Sequence, residues 1–74
     1  MNLIRKQMGL KGRHNLALWN ELRPILEALA DEGCVFNIVR PGFLRVLRVT
    51  SPQVVRTFGT IAVKEGRIEM KVGV

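Results

Sequence analysis

The sequence contains one cysteine, one histidine, one serine and one aspartate (Cys34, His14, Ser51 and Asp31) and no tyrosine. Each scarcity removes a class of chemistry. Ser51, His14 and Asp31 lie far apart in the chain, and no paired-carboxylate motif is present. Neither a nucleophilic triad nor an acid–base pair is signalled, so no enzyme and no catalytic residue is expected. His14 and Cys34 offer two soft ligands, short of the four a structural zinc needs, and no metal or other cofactor is expected. One cysteine cannot form an internal disulfide framework. It fits a reducing compartment, because secreted domains of this size carry cysteines in even numbers. No stretch approaches the roughly 20 apolar residues of a membrane span. Met1 to Leu10 also lacks the continuous apolar run of a signal peptide. The expectation is a cytoplasmic protein with no membrane partner.

A chain of 74 residues has room for one domain. Such a domain buries only about 60% of the surface its unfolded form exposes. Small folds supplement a thin core with disulfides, a metal or a partner chain. One cysteine excludes the first, and two soft ligands per chain could hold a metal only if shared across a symmetric dimer, so a homo-oligomer, a dimer, is expected. Apolar residues make up 47% of the chain and charged residues 24%, which is a globular composition rather than a disordered one.

Charge is the compositional outlier, at +6, and it is polarised. Residues 1–20 hold Arg5, Lys6, Lys11 and Arg13 with no acid. Residues 21–33 carry −3, from Glu21, Glu27, Asp31 and Glu32 against Arg23. Residues 34–74 carry +5, with seven bases against Glu65 and Glu69.

From Asn15 to Glu32, apolar side chains recur at Leu18, Trp19, Leu22, Ile25, Leu26 and Leu29, the spacing of one helical face. Trp19 is expected to belong to that core stripe. Gly33 supplies the stop, and Asn15 or Asn20 can cap the start. Pro24 interrupts the ladder. Either one helix runs from Asn15 with a kink, or a shorter helix starts at Asn20 with Pro24 in its first turn. The unbroken apolar register favours the single kinked helix.

Beyond Gly33 the chain is rich in Val, Ile, Phe and Thr with turn signals between runs, which predicts four strands. The first is Cys34 to Arg40, apolar on both parities, closed by Pro41-Gly42 in the central positions of a type II turn. The second is Phe43 to Thr50. Leu44 and Val46 share one face with Leu47 and Val49 only if a bulge falls near Val46, which would turn both Arg45 and Arg48 outward. The third is Gln53 to Lys64. A two-residue Glu65-Gly66 turn then pairs Lys64 with Arg67, Val63 with Ile68, Ile61 with Met70 and Thr60 with Lys71. Val72-Gly73-Val74 is a candidate sheet edge. The predicted fold is α+β, one Pro-kinked helix packed on a four-stranded, mainly antiparallel sheet in two layers. Residues 1–13 are read as a basic N-terminal arm and residues 14–74 as the single domain.

The hairpin register puts Val55, Thr57, Ile61, Val63, Ile68, Met70 and Val72 against the helix. Arg56, Phe58, Thr60, Ala62, Lys64, Arg67, Glu69 and Lys71 face outward. Arg45, Arg48, Arg56, Lys64, Arg67 and Lys71 can neutralise phosphates while Phe58 offers a ring on which a base can stack. Arg5, Lys6, Lys11 and Arg13 add an acid-free basic segment. These eleven residues are the predicted nucleic-acid-binding set, for RNA or DNA. Water-facing Lys and Arg also serve solubility and edge protection, so an assembly module without enzymatic activity is the competing expectation. Gly9-Leu10-Lys11-Gly12, preceding the helix, resembles the GxxG loop of the KH family of RNA-binding domains, whose backbone amides approach phosphates. The resemblance covers about ten residues. Asn15 stands where that family has an aliphatic residue, and four successive strands after the helix depart from its topology.

Overall fold

The computed structural model describes residues 1–73. Its elements are α1 (Asn2–Gln7), a single 3-10 turn (Arg13–Asn15), α2 (Leu16–Asp31), β1 (Cys34–Arg40), β2 (Phe43–Ser51), β3 (Val54–Lys64) and β4 (Arg67–Val72). The strands form one antiparallel sheet in the order β1-β2-β3-β4. The fold is a two-layer α+β arrangement, helix on sheet. Val74, the last residue of the expected C-terminal edge, lies outside the described residues.

Helix α2 buries Trp19, Leu22, Leu26 and Leu29, one side of a 3.6-residue repeat. They meet Cys34, Leu44, Val46 and Ile61 from the sheet. Leu22, Leu26, Leu44 and Ile61 are fully buried, each contributing about 1.5–3 kcal/mol relative to exposure. Pro24 lies inside α2 and does not end it. Pro24 and Asn20, whose carbonyl loses its amide partner, are both exposed, so water can satisfy that carbonyl. Asn15 precedes α2 without capping it through its side chain. Its Nδ2 donates instead to the Lys11 carbonyl at 2.8 Å. Gly33, at φ 88°, takes the left-handed conformation that releases the chain into β1.

The two tight turns follow the sequence signals. Gly42 has φ 84°, as the third position of a type II turn requires. Glu65 and Gly66 have φ 51° and 73°, the double positive φ of a type I′ hairpin. All four predicted β3–β4 pairs are present.

The bulge is on the other strand. Val46 pairs with Gly59 and Leu47 with Thr57, which leaves Phe58 of β3 without a partner. Strand β2 alternates regularly through it, so Arg48 shares the helix-side face with Leu44 and Val46. Before the bulge β3 is inverted relative to expectation: Arg56, opposite Arg48, is on the helix side, and Val55 and Thr57 are on the outer side. The gain is visible at Phe58, whose ring packs against the core instead of standing in water.

Residues 1–13, read from the sequence as an arm, include α1 and continue into the core through Met8 and Leu10, 2% and 3% exposed. The element order and the antiparallel β-meander keep the departure from KH topology seen in the sequence. The sheet also outruns the helix. Sixteen residues of α2 reach about 24 Å, and eleven of β3 about 36 Å. The far end of the β2–β3 hairpin, Thr50 to Thr57, is accordingly exposed.

Candidate nucleic-acid interface

The side of the sheet away from α2 is uncovered in the single chain, and cross-strand pairing fixes what it displays. One row runs Asn37, Arg45, Thr60, Lys71; the next runs Arg40, Phe43, Ala62, Glu69; and Lys64 faces Arg67 at the turn. Arg40, Phe43, Thr60, Ala62, Lys64, Glu69 and Lys71 line a groove of about 220 Å³. That is below the roughly 300–1,000 Å³ of small-molecule sites. Three of its side chains are cationic and one, Glu69, is anionic. Arg45 and Arg67 flank it and are exposed. Arg67 comes within 4.0 Å of Glu65, with both side chains more than 70% exposed, a contact too solvated to hold the guanidinium.

The aromatic ring of this face is Phe43. Leu44 is directed into the core, so its neighbour must point outward. The Arg40 guanidinium lies 4.7 Å from the Phe43 ring centroid, within cation–π range. Neither residue is in the sequence-derived set. The Pro41-Gly42 turn and the inward Leu44 were the available signals.

Of the predicted set, Arg45, Lys64, Arg67 and Lys71 are brought together on the outer face. Arg48 is not, because β2 keeps its alternation and carries it to the helix side, and Arg56 and Phe58 are not, because the bulge in β3 turns them there. Arg48 is engaged there. Its Nη2 donates to the Glu32 carbonyl at 3.5 Å and lies 3.9 Å from the Glu32 carboxylate. Its guanidinium sits 5.5 Å from the Phe58 ring centroid. A cation at the C-terminal end of α2 also meets the negative end of the helix dipole.

The N-terminal bases form a second group. Arg5, Lys6 and Lys11 line an open cleft with Asn2 and Gly12. Arg5 is partly committed, with Nε donating to the Leu10 carbonyl at 3.0 Å and Nη2 to that of Gly12 at 3.3 Å. Lys6, Lys11 and Arg13 are exposed. A Cβ built on Gly9 would lie 3.6 Å from the Pro41 side chain, so this segment is seated beside the β1–β2 turn. The two basic groups therefore share one end of the molecule but not one face. The groove opens on the outer side of the sheet, and the N-terminal segment flanks the same end from the helix side.

Among the described residues no three His, Cys, Asp or Glu side chains gather as metal ligands would, and no helix is long and apolar enough to cross a membrane. No protein family, curated protein or solved structure matches the chain.

Proposed function

We propose that the protein is a cytoplasmic binding protein for nucleic acid, RNA or DNA, without catalytic activity, that works as a homodimer. The outer face of the sheet is the contact surface. Arg40, Arg45, Lys64, Arg67 and Lys71 neutralise phosphates, and Phe43 is the ring on which an unpaired base stacks. Lys6, Lys11 and Arg13 extend the positive surface around the β1–β2 turn. The observation that carries this reading is the groove itself: three cations around an aromatic ring, flanked by two more, at the end of the molecule where the N-terminal bases also lie.

Phosphate contacts predominate over base contacts here, so affinity depends on salt and little on sequence. If Arg40, Arg45, Lys64, Arg67 and Lys71 each neutralise one phosphate of a single strand, the slope of log K against log salt is about −3.5. Raising salt from about 50 to 200 mM then weakens binding about 130-fold. Fluorescence anisotropy with short RNA and DNA oligomers measures both quantities. Replacing Lys64 and Lys71 together by Gln should reduce the slope by about 1.4. Phe43→Ala should weaken binding about tenfold without changing the slope. Wild-type affinity no tighter than about 10⁻⁴ M at 50 mM salt would refute the reading.

A further inference from the structure

Strand β1 is an edge of the sheet, and about half the backbone amides and carbonyls of an edge strand point away from their one neighbour. Among the described residues none of these groups on β1 has a hydrogen-bond partner other than β2; α1 touches β1 but donates nothing to its backbone. The opposite edge, β4, carries Arg67, Glu69 and Lys71 at alternate positions, the charge pattern that discourages strand addition. From Cys34 to Val39, β1 has no charge at all. Val35 and Val39 are 47% and 43% exposed on it.

The stretch Val35-Phe36-Asn37-Ile38-Val39 is moreover nearly palindromic. Read antiparallel against itself about Asn37, it sets Val35 opposite Val39, the residue at which the β1–β2 register shifts, Phe36 opposite Ile38 and Asn37 opposite Asn37. A twofold axis demands this self-complementarity, because each residue must meet its counterpart twice. Beyond the palindrome, Arg40 of one copy comes opposite Cys34 of the other, so no charged residue meets a like charge across the seam. The surface of the single chain is also in excess. A compact monomer of 8.4 kDa exposes about 4,600 Å², and this chain exposes 5218 Å².

We infer that the homodimer forms by antiparallel pairing of β1 with β1 of a second copy about a twofold axis at Asn37. The two sheets join into one eight-stranded sheet whose outer face carries both basic grooves at diagonally opposite ends. The pairing involves no groove residue beyond the tip at Arg40, so it stands or falls independently of nucleic-acid binding.

The test uses the whole chain without nucleic acid. Sedimentation at micromolar concentration should give twice the chain mass. Val35→Lys or Val39→Lys, both at half-exposed positions, should retain the far-UV circular dichroism of the wild type and weaken self-association by about tenfold or more, since each substitution spoils two symmetric cross-strand pairs. Directly opposed antiparallel residues have Cα atoms about 4.5–5.5 Å apart, within disulfide reach. Asn37→Cys should therefore cross-link two copies on mild oxidation, whereas Glu69→Cys on β4 should not. A monomeric wild type, a dimer that survives both lysine variants, or cross-linking through Glu69→Cys in place of Asn37→Cys would overturn the inference.

Discussion

Gly59→Ala tests the bulge that sets the facing of every residue in the first half of β3. Gly59 is buried on the helix-side face, paired with Val46 on one side and Val72 on the other. Its φ is not in the left-handed region, so backbone conformation alone would welcome alanine. The gain would be about 0.4–1 kcal/mol from a less flexible unfolded chain. Space forbids it. A Cβ at Gly59 would run into the backbone carbonyl oxygen of Lys71, with the Lys71 carbonyl carbon and the Val72 Cα each 3.2 Å away. All three are main-chain atoms of β4, so no side-chain rotation relieves the contact.

Strand β4 must therefore move away at its C-terminal end. The hydrogen bond from the Gly73 amide to the Phe58 carbonyl, 2.8 Å long, lies there, and the Gly59–Val72 pairing lies beside it. Losing two ladder bonds costs about 1–3 kcal/mol. After the entropic gain, the net destabilisation is about 1–2 kcal/mol, which for a domain of this size lowers Tm by roughly 5–15 °C. Thermal unfolding followed by circular dichroism, with urea titration for the free energy, measures it. Gly66→Ala is the comparison. It has open space but φ 73°, so it should lose about 1 kcal/mol through backbone strain alone. A Gly59→Ala variant as stable as wild type, or more so, would show that β4 does not pass over Gly59, and the bulge register would be refuted with it.

Two further outcomes follow from the turns and from the helix-side arginines. Glu65→Asn should stabilise the β3–β4 hairpin by about 0.5 kcal/mol in urea unfolding, because Glu65 sits at φ 51° in the position where type I′ turns favour Asn. Arg48→Gln should cost less than about 1 kcal/mol of stability, given its solvated pair with Glu32 and its contact with Phe58. It should leave the salt slope of oligonucleotide binding unchanged, whereas Arg45→Gln should lower the slope by about 0.7.

Much of the architecture was legible because local signals and long-range pairing agreed. The β3–β4 hairpin is the clearest case. Glu65-Gly66 specified the turn, and the alternation of charge with Ile and Met around it admitted one register. The α2 stripe was equally explicit, and Pro24 did not obscure it because it falls on the exposed side. The bulge was half legible. The clash of parities between Leu44–Val46 and Leu47–Val49 called for an irregularity, but either strand of the pair could supply it. What decided was tertiary: a large ring at Phe58 that packs into the core, followed by a glycine over which β4 can pass. Met8 and Leu10 were hidden for a related reason. Two apolar residues in a basic, glycine-punctuated run have no periodicity, and only the gap beside α2 and β1 makes them core.

The bulge also sorts the cations. Without it, Arg56 would join Lys64, Arg67 and Lys71 on the outer face, while Val55 and Thr57 would turn toward the helix side. With it, Arg48 and Arg56 stand opposite each other on the helix side, a like-charge pair that would be unfavourable on its own. They lie just past the end of α2, where the Glu32 carboxylate and carbonyl receive Arg48. The outer face is divided in consequence. Toward the two tight turns it carries Arg40, Phe43, Arg45, Lys64 and Lys71; toward the β2–β3 hairpin it carries Val35, Leu47, Val49 and Val55. If nucleic acid binds as proposed, a strand following the positive half meets no cation among the valines, and its expected path bends past Pro41, beside which the N-terminal segment is seated, toward Lys6 and Lys11. The effect of neutralising a base should therefore follow the face of the sheet it occupies, not its distance along the sequence. Arg45 and Arg48, three residues apart on one strand, are where the two rules give opposite answers.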